Sequence, residues 1–135
     1  MAKIEKFEDI EAWHKARNLV KEVYKVSGIK SYKNDYNLID QTRRSAISIM
    51  ANIAEGFARR TNKEFINFLG MSHGSAAELQ SHLYVALDQK YISDKDFRTL
   101  HLLADEVSKM IQGFIIYLRN SQSPKLSNSQ LKRKT

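Results

Sequence analysis

Apolar residues recur along the chain at the three- and four-residue spacing of an α-helix, and strand-like alternation bounded by turn residues is absent. The single proline lies at position 124, so nothing breaks a long helix before residue 120. The spacing predicts a first helix from Glu8 to Ser27. Its Ile10, Trp13, Arg17, Val20 and Tyr24 fall within roughly 80° of one another and form the expected core stripe. Gly28 then suits a left-handed stop. A second helix is capped by Asn34 or Asp35, carries Leu38, Thr42, Ala46, Ile49, Met50 and Ile53 on one side, and ends near Ala58. Thr61-Asn62-Lys63-Glu64 has the form of a capping box and opens a third. Ser93-Asp94-Lys95-Asp96 opens a fourth, with Phe97, Leu100, Ala104, Val107, Ile111, Phe114 and Leu118 at helical spacing. Four helices on short connections predict an all-α, antiparallel up-down four-helix bundle over residues 1–120.

The third helix departs from the ordinary amphipathic pattern. Between Phe65 and Leu87 the only charged side chain is Glu78. A helix uncharged nearly all round needs cover on both sides. Phe65, Phe68, Leu69, Ser72, Ala76, Leu79, Leu83 and Leu87 fall within about 60° of Phe65 and face the bundle. On the far side lie Ile66, Gly70, Gly74, Ala77, Ser81, Tyr84 and Val85. Each glycine costs about 1 kcal/mol of helix propensity, and close approach of another backbone is the usual compensation. The expected cover is a second copy of the chain, which makes Ile66, Gly70, Gly74, Ala77, Ser81 and Tyr84 the candidate oligomer interface. The second helix is similar, with no charge between Arg44 and Glu55. Its polar strip of Gln41, Arg44, Ser48, Asn52 and Glu55 is compatible with an interhelical network, a subunit contact or a ligand site.

Length and composition narrow the classes. The 135 residues suffice for one domain with a real core. Without cysteine, disulfide frameworks, thiolate zinc sites and cysteine nucleophiles drop out, and a reducing compartment is expected. Residues 1–11 mix acidic and basic side chains where a signal peptide needs an apolar stretch, and no apolar run reaches bilayer length. These features predict a soluble, cytoplasmic protein with no membrane partner. The net charge is +7, of which Lys125, Lys132, Arg133 and Lys134 supply four from Ser121–Thr135, a segment with no acidic residue. That leaves about +3 on the folded part. The segment has no aromatic residue and two isolated leucines, the composition of a disordered basic tail.

Catalytic chemistry finds little support. Glu11-Ala12-Trp13-His14 has the Glu-x-x-His spacing of a di-metal bundle, yet Glu11 points about 150° from the stripe that holds Ile10 and Trp13. Glu78 and His82 are one turn apart but lie off the core stripe. His73 and His101 stand alone, and glycine-rich phosphate loops and nucleophile motifs are missing. The expectation is no enzyme activity, no catalytic residue, no metal site and no cofactor. Positive charge, by contrast, comes in groups: Arg43-Arg44, Arg59-Arg60 with Lys63, and Lys132-Arg133-Lys134. These eight are the candidate nucleic-acid contacts, with Arg59, Arg60 and Lys63 foremost. The first two groups lie about 24 Å apart along one helix and form no single patch by adjacency. Contact with RNA or DNA phosphates without sequence reading competes with a protein-interaction or scaffold role.

The runs QTRRSAISIMANIAEGFARR (Gln41 to Arg60), EFINFLGMSHGSAAELQSHL (Glu64 to Leu83) and FEDIEAWHKARNLVKEVY (Phe7 to Tyr24) resemble the bundle family encoded by intervening sequences within bacterial 23S ribosomal RNA genes, the S23 ribosomal protein-like family. The most specific pieces are Asn52-Ile53-Ala54-Glu55-Gly56, the preceding Arg43-Arg44, and Gly74-Ser75 followed by Glu78-Leu79. The likeness spans about residues 7 to 118. It implies a bundle that assembles into a ring, typically a homopentamer, with no established enzymatic activity. Related bundles are accessory proteins of diversity-generating retroelements that bind a reverse transcriptase and nucleic acid, and the resemblance leaves both branches open. Three departures stand out. The first connection, Gly28 to Tyr36, lacks the family's usual proline; Thr42 stands where leucine is favoured; and Gln89-Lys90-Tyr91 replaces a more typical Leu-Gly-Tyr.

Overall fold

The computed structural model describes residues 3–121, and every regular element among them is helical. A single 3-10 turn, Phe7–Asp9, precedes α1 (Glu11–Ser27), α2 (Lys30–Lys33), α3 (Tyr36–Phe57), α4 (Asn62–Asp88) and α5 (Asp94–Asn120). The basic stretch Lys132-Arg133-Lys134 and the expected tail lie outside the described residues.

Side-chain caps set three of the long helices where the sequence placed them. The Asp35 carboxylate accepts from Leu38 N, Thr61 Oγ1 from Glu64 N, and Ser93 Oγ from Asp96 N, each satisfying an amide that the first turn leaves without a partner. The first helix is different. Asp9 accepts from the backbone of Glu5 and Lys6, which closes a separate 3-10 turn, and Ile10 is extended, so α1 starts at Glu11 rather than Glu8.

Packing contacts give the topology. Ile49 and Ser72, Ser48 and Ser75, and Phe57 and Phe65 meet across α3 and α4, so one helix climbs as the other descends. Gln80 with His101, Tyr84 with Phe97 and Phe65 with Phe114 do the same for α4 and α5. Helix α1 packs on both α3 and α5, closing the bundle. The core runs through Leu19, Ile49, Ile53, Phe65, Leu69, Leu79, Leu83, Leu100 and Ile111, all fully buried.

Two local expectations are overturned. The core stripe of α1 is Ala12, Ala16, Leu19 and Val23 with Trp13 at its edge, while Arg17 and Tyr24 are exposed. Small alanines bring α1 close to its neighbours, a preference that a count of large apolar residues misses. Gly28, expected in a left-handed stop, has φ −79°. The chain there continues in right-handed conformation toward the short α2, whose Tyr32 is 1% exposed. Tyr32 OH lies 2.9 Å from Thr42 Oγ1, and Thr42 also donates to Leu38 O. The threonine that departs from the family's leucine thus has a buried polar partner supplied by the equally unusual connection. Tyr91 stacks beside Tyr32 at 5.6 Å and donates to Asp35, tying the α4–α5 turn to the same corner.

Among the described residues the left-handed one is Lys90, at φ 63°. Lys90 N bonds to Leu87 O and Tyr91 N to Ala86 O, the paired hydrogen bonds of a Schellman motif that favours glycine at this place. The family's Leu-Gly-Tyr fits that backbone; Gln89-Lys90-Tyr91 adopts it with a side chain in the way.

Candidate functional site

Two kinds of glycine environment border helix α4. Gly56 of α3 is buried, and a Cβ added there would stand 2.7 Å from Phe68 Cβ and 2.9 Å from a ring carbon of Phe65. This glycine lets α3 meet α4. Gly70 and Gly74 are the reverse: both are exposed, and a Cβ on either would meet no atom within 4 Å. Neither their own helix packing nor a backbone turn explains them. Gly70, Gly74, Ala77, Ser81 and Tyr84 are all open to solvent within the subunit, while Ile66 is partly buried against the core. Helix α5 meets this side only at its edge, where the Tyr84 ring lies 4.8 Å from that of Phe97 and 5.8 Å from that of His101.

Exposed apolar side chains occur on α3 as well as α4. By the Ser48–Ser75 register, Ile47 and Ala51 of α3 stand level with Gly74 and Met71 of α4. Ile47 is 41% exposed, Met71 48% and Tyr84 50%. The seam between the helices is polar but internally satisfied: the Ser48 and Ser75 hydroxyls are 2.9 Å apart, and Asn52 Nδ2 donates to Ser48 O and Oγ. Of the three readings of the polar strip on α3, Ser48 and Asn52 follow the interhelical network. Met71 stands about 60° around α4 from Gly74 and extends its open face, whereas Ile47 is about 100° around α3 from Ser48 at the seam.

The basic candidates separate. Arg43 is half-buried; its Nε donates to Ser27 Oγ at 2.9 Å, an Nη reaches Tyr24 O, and its guanidinium lies 4.2 Å from the Tyr24 ring centre. Its donors close the C-terminus of α1 onto α3, so it is set aside as a phosphate contact. Arg44 is exposed and pairs with Asp40 at 3.0 Å. Arg59 pairs with Glu55 at 3.1 Å and rests on the Phe68 ring at 4.6 Å. Arg60 and Lys63 are exposed, with no ion pair to another described residue. Arg59, Arg60 and Lys63 sit together at the α3–α4 turn. The Phe65–Phe114 contact brings the end of α5 and Arg119 to the same end of the bundle.

Other chemistry is sparse. Among the described residues no three His, Asp or Glu side chains gather as metal ligands. His14 Nε2 lies 2.6 Å from Glu8 O, a local tie at the start of α1. A cavity of about 590 Å³ opens between the N-terminal turn, α1 and α5, with Ile4, Ile10, Met110 and Phe114 among its lining residues and Asp9 and Glu11 at its side. Neighbouring backbone amides hold the Asp9 carboxyl below the usual carboxylate range. No helix is long and apolar enough to cross a membrane among the described residues.

Comparison with known proteins decides the family. The family model described as 23S rRNA-intervening sequence protein matches residues 8–113. The chain belongs to this family. A crystal structure of a protein with unknown function from the S23 ribosomal protein family, from Bacteroides thetaiotaomicron, shares the fold, with a TM-score of 0.71 and 22% identity over 77% of this chain and 97% of that one. A search of curated proteins finds no match. Within the matched span, Gly56 lies inside the subunit, while Gly74 and Glu78 are exposed on α4.

Proposed function

We propose that the protein is a non-enzymatic, ring-forming bundle of the cytoplasm, assembled as a homopentamer as the family resemblance implies, that holds RNA or DNA through phosphate contacts without reading sequence. The observation that carries this reading is the open face of α4. Two glycines that weaken a helix, face no atom of their own subunit and sit in an uncharged surface are accounted for by a neighbouring backbone. Isolated, the folded part carries only about +3, too little to hold a polyanion firmly. Five copies bring roughly +15 and repeat the Arg59, Arg60 and Lys63 cluster around one end of the ring, a field suited to phosphates.

Salt dependence tests the nucleic-acid half. Affinity for structured RNA should fall linearly on a log–log plot as salt rises, and Arg60→Glu with Lys63→Glu should flatten the slope by about 2 for each subunit in contact with the RNA, near one for each phosphate no longer held. Undetectable binding at low salt, or affinity indifferent to salt, refutes it. The pairing of Arg44 and Arg59 with acidic neighbours, together with the engagement of Arg43, favours a second reading. In that reading the ring is a scaffold for a protein partner, such as the reverse transcriptase that the retroelement branch implies, and the cations keep it soluble. A complex with such a partner that forms equally in high salt and without nucleic acid would select it.

A further inference from the structure

We infer that the α4 face of one copy seats on the outer face of α5 of the next, a contact between two different surfaces; this rests on the subunit contact proposed above. The outer line of α5 carries Leu102 and Ile116, 58% and 54% exposed, with Arg98, Lys109 and Gly113 open to solvent beside them. These five lie within about 60° of one another around the helix. Gly113 resembles Gly70 and Gly74, because an added Cβ would meet no atom within 4 Å. A glycine in mid-helix costs about 1 kcal/mol, and no atom of the subunit packs on this one. Leu102 to Ile116 spans 14 residues, as Gly70 to Tyr84 does, a length of about 21 Å on each helix. The remaining outer faces match less well. On α1 the exposed residues include Arg17, Lys21 and Lys25, with Tyr24 beneath the Arg43 guanidinium. On α3, Ile47 falls between the Asp40–Arg44 and Glu55–Arg59 ion pairs.

Charge assigns the pairing. Glu78 is the only charged side chain between Phe65 and Leu87; it reaches His82 Nε2 at 3.3 Å within its own subunit, and Asp88 is exposed at the end of the helix. Set against itself, this face would oppose acid to acid, which disfavours the contact. On α5, Arg98 and Lys109 are exposed without an ion pair to another described residue, whereas Glu106 is held by Lys15 at 3.2 Å and Asp105 lies 3.5 Å from Gln80 Nε2. The free charge of that line is positive. Position agrees with charge. Helices α4 and α5 are neighbouring corners of the bundle, so their outward directions differ by about 90°, close to the roughly 108° between the two contacts of each member in a flat ring of five. In a ring whose axis runs along the bundle, α5 of one copy is antiparallel to α4 of the next and keeps its level. Gln80 meets His101 and Tyr84 meets Phe97 inside the subunit, so the next copy's Leu102 arrives beside Glu78 and Ser81, and its Gly113 beside Gly70. Glu78 then lies between that copy's Arg98 and Lys109, each within about 9 Å along the axis.

Two full-length variants, each spoiling one surface, test the pairing by light scattering: Gly74→Glu on α4 and Leu102→Glu on α5. Each alone should be a helical single chain of 15.6 kDa. Mixed in equal amounts they should form a pair of about 31 kDa and nothing larger, because each supplies the surface that the other lacks. Ile116→Glu, at a second exposed position, replaces Leu102→Glu should the latter lose helicity by circular dichroism. Lys109→Glu should raise the dissociation constant of the wild-type ring by about tenfold or more. A folded Leu102→Glu variant that assembles like wild type overturns the inference and leaves the α4 contact standing. A mixture of folded variants that stays at 15.6 kDa overturns the pairing of the two surfaces. Wild type that is itself a single chain overturns the α4 contact and the inference together.

Discussion

Replacing Lys90 by glycine should stabilise the fold, and the size of the gain can be worked from the backbone. Lys90 has φ 63° at the residue after the α4 cap, where both Schellman hydrogen bonds are formed. For a residue with a Cβ the left-handed conformation costs about 1–2 kcal/mol relative to glycine. Glycine gives back about 0.4–1 kcal/mol through the greater freedom of the unfolded chain. The lysine charge near a helix C-terminus contributes a further 0.3–1 kcal/mol that the variant loses, roughly at the lower end for an exposed side chain. The net expectation is a gain of about 0.5 kcal/mol, a shift of roughly 2–3 °C in Tm for a domain of this size. Because that is small, the decisive comparison is with Lys90→Ala, which loses the same charge and keeps the Cβ. Glycine should exceed alanine by about 1 kcal/mol in urea denaturation with unchanged m-value. Equal stability of the two variants would refute the argument that this backbone position carries strain.

Gly56→Ala should lose about 1–3 kcal/mol, read by thermal or urea unfolding, because the new methyl group meets Phe65 and Phe68 at less than 3 Å. Arg43→Ala should lower stability by about 1–2 kcal/mol through its bonds to Ser27 and Tyr24 and its stacking on the Tyr24 ring, while leaving RNA affinity unchanged. In alkaline solution, burial raises the Tyr32 hydroxyl and the Asp35 carboxylate raises that of Tyr91 above the ordinary 10.0. Both groups are held neutral in the fold, so their contribution is complete below pH 10 and is lost as pH climbs through the raised values. Circular dichroism should show stability falling above about pH 10, less steeply in Tyr91→Phe.

Much of the fold is legible because the long helices carry explicit signals. Asp35, Thr61 and Ser93 each cap the helix they are expected to start, and the core faces of α3, α4 and α5 follow their periodicity. What fails does so locally. On α1 the true face is marked by Ala12 and Ala16, small residues whose burial reflects close helix approach rather than hydrophobic size. Gly28 suggests a stop, whereas Tyr32 buries itself one turn later and draws the chain on as α2. Lys90 cannot be recognised as left-handed from its own identity; only the family's glycine at that place hints at it. For the candidate site, the angular count finds the open face of α4, although a stripe centred on Gly70, Gly74 and Ala77 stops short of the exposed Met71. Arg43 and Arg44 are sequence neighbours with different fates, one closed onto α1 and one in solvent, because adjacent helical residues point about 100° apart.

The central claim is that the α4 face is covered by another copy of the chain. The direct measurement is the mass of the full-length protein near pH 6.5 by multi-angle light scattering. Five subunits of 15.6 kDa give about 78 kDa, and Gly74→Glu, which adds a long charged side chain to the face without touching the subunit's own packing, should reduce the mass to that of a folded, helical single chain. A wild-type mass of 15.6 kDa at assay concentrations would contradict the account.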